Sequence, residues 1–301
     1  MNCRSCASSK MHSFLDLGFA PPSNAYLSAN DLSHSETHFP LRVAVCEECW
    51  LVQAEQYTDV GDLFDADYAY FSSTSQSWLE HANRYASKMI AGLGLGKSSF
   101  VVELASNDGY LLRNFVEREV PCLGVEPTLS TATAARTIGV STLQEFFGVA
   151  TAQKILDSHG PADLICGNNV YAHVPDIHGF TRGVQRLLKP EGIVTFEFPH
   201  LLNLLQYNQF DTVYHEHFSY FSLLAVLPIF KNAKLRVFKV EKLSTHGGSL
   251  RIYGCHQGST RESDPSLSEA LAEERQYGLD TLAAYAGVQS RADALKDSFL
   301  Y

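Results

Sequence analysis

The alternation of apolar and polar positions predicts strands and helices in turn over the middle of the chain. Five apolar, β-branched runs are predicted to be strands: 98–105, 122–127, 140–143, 162–168 and 192–199. The intervening residues 109–118, 129–138 and 177–188 have the spacing of helices. Because strands alternate with helices, this region predicts an α/β fold with a parallel sheet covered on both faces.

The last two strands predicted in this region have a different connection. After a helix predicted at about 222–232, the strands 234–243 and 249–257 are separated only by the short segment 244–248. So short a link makes them antiparallel, because a parallel crossover needs a dozen or more residues. A parallel sheet that ends in an antiparallel hairpin is typical of the class I methyltransferase, a Rossmann-like fold.

Two cysteine pairs mark the N-terminal region, which is otherwise rich in turns. Cys3 and Cys6 form one C-x2-C knuckle, and Cys46 and Cys49 form a second one 39 residues later. Two such knuckles supply the four thiolates of a tetrahedral structural zinc site, which leaves no open position for catalysis. Unpaired buried thiols are the alternative. The separation exceeds the usual ~15–20 residues, so the intervening segment is expected to form a small subdomain.

These segments predict three parts of the chain. Residues 1–58 form a zinc-binding domain, and residues 59–260 form the methyltransferase domain. The latter begins with a helical segment at 59–97, which ends at glycines 92, 94 and 96. Residues 261–301 are predicted to be a helical segment that starts a missing or truncated domain.

Composition and charge exclude several classes of protein. The 301 residues include 23 basic and 33 acidic side chains, a net charge of −10, which argues against a nucleic-acid partner. No apolar run approaches the ~18 residues of a membrane span. The N-terminus has no apolar signal region, so a cytoplasmic protein is expected.

A polar loop follows the first predicted strand, where open parallel sheets bind ligands. It has one glycine and lacks the G-x-G-x-x-G pattern that a diphosphate favours. Its composition suits S-adenosylmethionine, which carries a sulfonium and an amino-acid tail but no phosphate. The candidate residues of this cofactor loop are Glu103, Ala105, Ser106, Asn107, Asp108 and Gly109.

The ends of the following strands add to this cofactor site. Glu126, before Pro127, ends the second strand 23 residues after Glu103, the position that commonly binds ribose hydroxyls. A carboxylate at a strand end is as often a surface group, so this feature is weak by itself. Two further pairs of positions complete the predicted site: Glu145 and Phe146 for adenine, and Asn168 and Asn169 at the fourth strand end.

A cluster of titratable residues follows the fifth strand and is expected at the same edge. Tyr214, His215, Glu216 and His217 are consecutive, and His173 follows the fourth strand. Histidine suits general-base chemistry because its unperturbed pKa is near 6.5. A metal-binding histidine pair or a solvated polar loop is the alternative. The segment 67–75 could form a lid, and His246 lies in a connection that is either a tight hairpin only or a ligand contact.

Six motifs in order resemble the sugar C-methyltransferases of deoxysugar biosynthesis in antibiotic pathways. They are the paired knuckles, DYAYFSS, ELASNDGYLL, NNVYAHVPD, YHEHFSYFS and HGGSLR, over residues 1–260. The resemblance implies a zinc module, a methyltransferase domain and a C-terminal domain that helps hold a nucleotide-sugar. It also implies His217 as the base, with the substrate surrounded by Tyr214, Glu216, His173 and Tyr68. Members of the family usually continue for about another domain.

These observations predict an S-adenosylmethionine-dependent C-methyltransferase that acts on a small molecule. The expected substrate is an NDP-4-keto-deoxysugar, methylated at the carbon α to its ketone after His217 generates an enolate. In this scheme Glu216 orients the imidazole, and Tyr214 or His173 stabilises the enolate. One alternative is an O- or N-methyltransferase of a small or carrier-bound intermediate, and another is a noncatalytic zinc-anchored binding protein.

Overall fold

The computed structural model describes residues 1–57, 60–64 and 68–300. The domain boundary predicted after residue 58 lies outside the described residues. The strands are β1 (Met11–Ala20), β2 (Phe39–Cys46), β3 (Val52–Ala54), β4 (Val101–Leu104), β5 (Cys122–Val125), β6 (Thr142–Leu143), β7 (Ala162–Asn168), β8 (Leu188–Pro199), β9 (Ser219–Tyr220), β10 (Leu235–Leu243) and β11 (Ser249–His256). The α-helices are α1 (Val60–Leu63), α2 (Gln76–Leu93), α3 (Arg113–Val116), α4 (Leu129–Thr137), α5 (Val149–His159), α6 (Ile177–Leu187), α7 (Leu201–Tyr207), α8 (Leu223–Asn232), α9 (Pro265–Tyr277) and α10 (Val288–Leu300).

The central sheet has seven strands in the order β10-β11-β8-β7-β4-β5-β6. Strands β8, β7, β4, β5 and β6 are parallel, whereas β11 is antiparallel to both β8 and β10. This arrangement confirms the predicted class I methyltransferase sheet with its antiparallel hairpin. The carboxyl ends of the parallel strands lie at one edge, so the loops that follow them come together there.

Helices cover both faces of this sheet. On one face, Tyr85 of α2 and Phe115 of α3 are buried against β4 and β7. On the other, Val184 of α6 and Ile229 of α8 are buried in a larger apolar cluster. No helix among the described residues combines the length and apolar character needed to cross a membrane.

The helix predicted over residues 59–97 is shorter in the structure. Residues 68–75 are not α-helical, apart from a 3-10 turn at Ser72–Thr74, and α2 begins only after Ser75. The backbone N–H groups of Ser72 and Ser73 donate to the side chains of Asn107 and Asp108, at 2.9 and 3.0 Å. These tertiary bonds replace the intrahelical ones, so the prediction was wrong for this segment.

The N-terminal region contains an antiparallel sheet with the strand order β1-β2-β3-β9. Its fourth strand, β9, lies some 165 positions after β3 in the sequence. The two strands pair with each other, with Gln53 opposite Ser219. Buried residues of β1–β3, α7 and α10 form one apolar cluster. The Gln289 side chain in α10 also bonds both backbone groups of Asp16 in β1, at 2.7 and 3.2 Å. The first and last segments of the chain therefore pack together.

Candidate active site and metal centre

The four predicted cysteine ligands form one cluster. Their sulfur atoms all lie within 4.8 Å of one another, with 3.4 Å between Cys3 and Cys49 and 3.5 Å between Cys6 and Cys46. Tetrahedral zinc with Zn–S bonds of ~2.3 Å needs sulfur separations of about 3.8 Å, close to this arrangement. The Ser5 N–H donates to the Cys3 sulfur at 3.4 Å, and the Cys49 thiol lowers the Cys3 pKa to about 5. The quartet therefore suits a structural zinc ion.

A cavity of about 640 Å³ opens at the carboxyl edge of the parallel strands. This volume is within the ~300–1,000 Å³ of typical ligand sites. Its wall includes eight of the twelve predicted cofactor residues: Ala105, Asn107, Glu126, Pro127, Glu145, Phe146, Asn168 and Asn169. The same wall includes all five predicted catalytic residues: His217, Tyr214, Glu216, His173 and Tyr68. The structure therefore brings these eight cofactor residues and the five catalytic residues together around one cavity.

Backbone geometry turns the cofactor loop toward this cavity. Ala105 and Asn107 both have left-handed φ angles, 55° and 49°. The Asn107 N–H donates to Glu126 at 2.9 Å, and its side-chain amide donates to the Tyr70 carbonyl at 3.0 Å. These bonds connect the loop to the next strand and to residues 68–75, the described part of the segment 67–75 that could form a lid.

The other four predicted residues of the cofactor loop, Glu103, Ser106, Asp108 and Gly109, do not line the cavity. Burial raises the pKa of Glu103 well above its usual value, and the charges of Asp108 and Glu126 raise it further. Ser106 is fully buried, and Asp108 accepts from the Ser73 N–H. A Cβ on Gly109 would lie 3.0 Å from Val140, and the φ of this glycine is +80°. These four residues therefore support the backbone of the loop and do not line the cavity.

The pocket suits the charged and aromatic parts of S-adenosylmethionine. Glu126 presents a carboxylate to the cavity, and the buried Asn169 Oδ1 has no hydrogen-bond partner among the described residues. These acceptors suit ribose hydroxyls and the ammonium group, whereas Phe146 and Phe147 offer aromatic surface for adenine. Sequence reasoning missed Trp78 and Tyr110, which also line the cavity and whose rings stack 5.9 Å apart.

His217 is buried at the cavity wall in a defined tautomer. Its Nδ1–H donates to the Thr212 carbonyl at 2.8 Å, so Nε2 carries the lone pair. The Tyr214 hydroxyl donates to that Nε2 at 2.8 Å. Burial, followed by the nearby His173, holds the pKa of His217 well below its ordinary value of 6.5. The imidazole is therefore neutral near pH 7 and available to accept a proton.

Glu216 does not orient the His217 imidazole, and that expectation was wrong. Its carboxylate accepts from Asn24 at 2.6 Å, Ser23 at 2.9 Å and Tyr68 at 3.0 Å. The Thr212 carbonyl takes the orienting position instead. Ser23 and Asn24 were missed in the sequence analysis, since nothing local signals a contact over more than 190 positions.

The other two histidines near the cavity differ from His217 in their contacts. The Nδ1–H of His173 donates to the Glu216 carbonyl at 2.9 Å, and burial lowers its pKa. His246 has a left-handed φ of 50°, and its ring is nearly perpendicular to that of Trp78, with the ring centres 5.1 Å apart. Since His246 lines the cavity, the structure favours the ligand-contact interpretation over a hairpin alone.

His215 lies outside the cavity wall. Its Nε2–H is shared by the carbonyls of Phe39 and Pro40, at 3.2 and 3.3 Å, so it is tied to β2. Among the described residues, the cysteine quartet has metal-ligating geometry, and neither His215 nor His217 belongs to such a group. His215 and His217 are therefore not equivalent, and a metal-binding histidine pair finds no third ligand within the described part of the chain.

Comparison with known proteins divides the chain into three matched regions. Residues 3–64 match the family described as "Putative zinc binding domain", and residues 78–240 match "Methyltransferase domain". Residues 244–301 match "C-methyltransferase C-terminal domain". The chain is 35% identical to the C-methyltransferase NovU of Streptomyces niveus over 283 residues. The aligned region covers 94% of this chain and 67% of NovU.

Solved structures also resemble parts of the chain. An S-adenosylmethionine-dependent methyltransferase of Clostridium acetobutylicum is 13% identical with a TM-score of 0.47, over 60% of this chain and 92% of that one. Magnesium protoporphyrin IX methyltransferase of Synechocystis, with S-adenosylmethionine bound, is 11% identical with a TM-score of 0.45. The match covers 59% of this chain and 79% of that one.

The family assignment rests on the three matched regions and on the identity to NovU, together with the sheet order and the cysteine cluster. These features occur in the order expected for an enzyme with an N-terminal zinc module. The chain belongs to the zinc-containing C-methyltransferase family and is an S-adenosylmethionine-dependent C-methyltransferase.

Proposed function

We propose that this enzyme methylates the carbon α to the ketone of an NDP-4-keto-deoxysugar, with His217 as the general base. The observation that carries the proposal is the neutral His217 ring at the cavity wall. Its Nδ1–H is committed to Thr212, so Nε2 is the atom that can take a proton. A base of this kind is needed for carbon methylation because a C–H group is not a nucleophile until it is deprotonated.

The proposed reaction has two bond changes on the substrate. His217 Nε2 removes the proton from the carbon α to the ketone, and the C–H electron pair becomes the enolate. That carbon then forms the new C–C bond with the methyl group, while the S–CH3 electron pair stays with the sulfur. S-adenosylmethionine supplies the electrophilic methyl group when bound.

We propose that Tyr214 stabilises the enolate. Its hydroxyl donates to His217 Nε2 in the structure, and it must leave that atom when the substrate carbon approaches. We propose that the hydroxyl then donates to the ketone oxygen, where negative charge develops. His173 is a poorer donor at this point, because its Nδ1–H is already bonded to the Glu216 carbonyl.

The polar lining of the cavity supports a hydroxylated acceptor. Asn24, Asp211 and Thr212 lie on the wall beside the catalytic residues. Of the described residues lining the cavity, Arg182 is the one arginine or lysine. A diphosphate favours several such groups, so we propose that the keto-sugar ring enters the cavity and the nucleotide lies outside it.

The test compares His217→Asn with the matched control His215→Asn. Removal of a general base typically lowers the rate ~10²–10⁴-fold, so His217→Asn should fall by at least the lower figure. His215→Asn should change turnover far less, because its ring lies outside the cavity wall and contacts the Phe39 and Pro40 carbonyls and the Phe39 ring. S-adenosylhomocysteine affinity should remain unchanged in both variants.

The assay is single-turnover methyl transfer to an NDP-linked 4-keto-deoxyhexose, with solvent-deuterium exchange into the same acceptor. Exchange at the α carbon separates enolate chemistry from O- or N-methylation, which exchanges no carbon-bound hydrogen. A His217→Asn enzyme that exchanges and methylates like the wild type would place the base elsewhere. Absence of both reactions in the wild type would favour a smaller or carrier-bound acceptor.

A further inference from the structure

The first cysteine knuckle contains a residue that contacts the segment following the proposed base. Arg4 lies between Cys3 and Cys6, and its guanidinium donates to the carbonyl of Phe218. The same group donates to the Ala54 carbonyl at 3.3 Å and lies 5.4 Å from the centre of the Phe218 ring. Phe218 directly follows His217 in the sequence. The metal-binding turn therefore contacts the residue next to the proposed base, although the two lie 214 positions apart in the chain.

The contacts of Arg4 are held in place by the buried side chain of Gln53. The Arg4 N–H donates to Gln53 at 2.8 Å, and the Gln53 amide donates to the Asn2 carbonyl at 3.1 Å. Gln53 is only 1% exposed and lies on β3, where it pairs with Ser219 of β9. The knuckle, β3 and β9 therefore form one hydrogen-bonded unit.

The catalytic turn, defined as residues 214–217, is also held by other parts of the N-terminal region. His215 bonds the first carbonyls of β2, and Glu216 accepts from Ser23 and Asn24. Arg4 differs from these contacts because it lies between two ligands of the same metal site. The arginine guanidinium is charged at neutral pH and has five N–H donors for such contacts. Arg4 is half-buried, and its charge is stabilised there by these hydrogen bonds, which define the position of its side chain.

We propose that Arg4 is a positioning residue, through which the zinc-bound knuckle fixes the place of the catalytic turn and of His217. This inference rests on the proposed function of His217. The physical basis is that a zinc ion held by Cys3 and Cys6 would fix the turn that contains Arg4, and the Arg4 guanidinium donates to the Phe218 carbonyl. A small displacement of a catalytic group can cost a large factor in rate, because reacting atoms must be aligned at contact distance.

The test uses Arg4→Met, Arg4→Lys and the control Arg42→Met in the full chain. Methionine removes all guanidinium hydrogen bonds, whereas lysine keeps the charge and part of the bonding. Arg42 is in the same N-terminal sheet, but it is exposed at the surface and pairs with Asp16 at 3.0 Å. All proteins are compared after elemental analysis shows the same zinc content as in the wild type.

Two measurements report on different parts of the inference. Amide hydrogen exchange of residues 212–221 should be faster in Arg4→Met by roughly tenfold, with the exchange of β4 and β5 unchanged. Turnover should fall by roughly tenfold or more, with KM for the keto-sugar nucleotide and S-adenosylhomocysteine affinity unchanged. Arg4→Lys should recover part of both losses, and Arg42→Met should behave like the wild type.

The outcomes distinguish this inference from the proposed function. Unchanged exchange in Arg4→Met, beside an inactive His217→Asn, would overturn the positioning role and leave the base assignment intact. Faster exchange without any loss of turnover would overturn the link to catalysis. An Arg4→Met protein that cannot hold zinc would also overturn the inference, because Arg4 would then serve the knuckle itself. If His217→Asn were fully active, the base assignment would be wrong. Faster exchange of residues 212–221 in Arg4→Met would then still show that Arg4 holds this segment in place.

Discussion

Replacing Glu126 with alanine tests the cofactor site at the carboxylate expected to bind ribose. In the structure, Oε2 accepts from the Asn107 N–H at 2.9 Å, and Oε1 accepts from the Thr128 N–H and hydroxyl at 3.0 and 2.7 Å. A carboxylate has about four acceptor sites. The chain occupies three of them, so about one remains for a ribose hydroxyl, fewer than the two bonds that the strand-end position alone suggests.

This count sets the expected loss of affinity. A hydrogen bond to a charged group contributes about 1.5–3 kcal/mol, so Glu126→Ala should raise the S-adenosylhomocysteine dissociation constant about 10- to 150-fold. The substitution also removes the three internal bonds, which could disturb the cofactor loop. Thr128→Val is the matched control, because it removes one internal bond and keeps the carboxylate. Its effect on affinity should be clearly smaller.

Titration calorimetry with S-adenosylhomocysteine gives the dissociation constants directly. Tryptophan fluorescence is an independent readout, because Trp78 lines the cavity and the chain has only two tryptophans. An unchanged dissociation constant in Glu126→Ala would remove Glu126 from the site. Equal losses in Glu126→Ala and Thr128→Val would show that the effect arises from loop disorder and refute the ribose contact.

Three further predictions concern the metal, the base and the buried acid. Cys46→Ser should lower zinc content, measured by elemental analysis, and reduce soluble yield more than it changes the activity of the folded fraction. Because burial holds the His217 pKa below 6.5, kcat/KM should stay constant as the pH falls to 6.5 and decline only below it; a midpoint at or above 6.5 would contradict this. The pKa of Glu103 is raised in the folded protein, so its carboxyl keeps a proton that the unfolded chain releases above about pH 4.5. The folded state therefore loses stability as the pH rises toward the folded pKa. Glu103→Gln should therefore increase the free energy of unfolding at pH 8 more than at pH 6, measured by urea denaturation; an equal change at both values would argue against a protonated Glu103.

Local patterns in the sequence determined the central sheet and much of the site. The strand runs, the short connection at 244–248 and the two knuckles are features of neighbouring residues, and the structure confirms the sheet and the cysteine cluster. The carboxyl ends of parallel strands share an edge, so Glu126, Asn168 and His173 could be placed around one cavity without coordinates. The sequence analysis missed helix α5, which lies between β6 and β7.

Only the tertiary structure decided which side chains face the cavity and what holds them. Glu103 and Asp108 are in the same loop as Asn107, but the left-handed turns of the backbone direct them to different sides. The contacts of Glu216 with Ser23 and Asn24, and of Arg4 with Phe218, join residues 192 to 214 positions apart. Such contacts leave no periodicity or spacing in the sequence, because they depend on how the N-terminal sheet packs against the methyltransferase domain. That packing, which adds β9 to β3, is what brings the zinc knuckle to the catalytic turn.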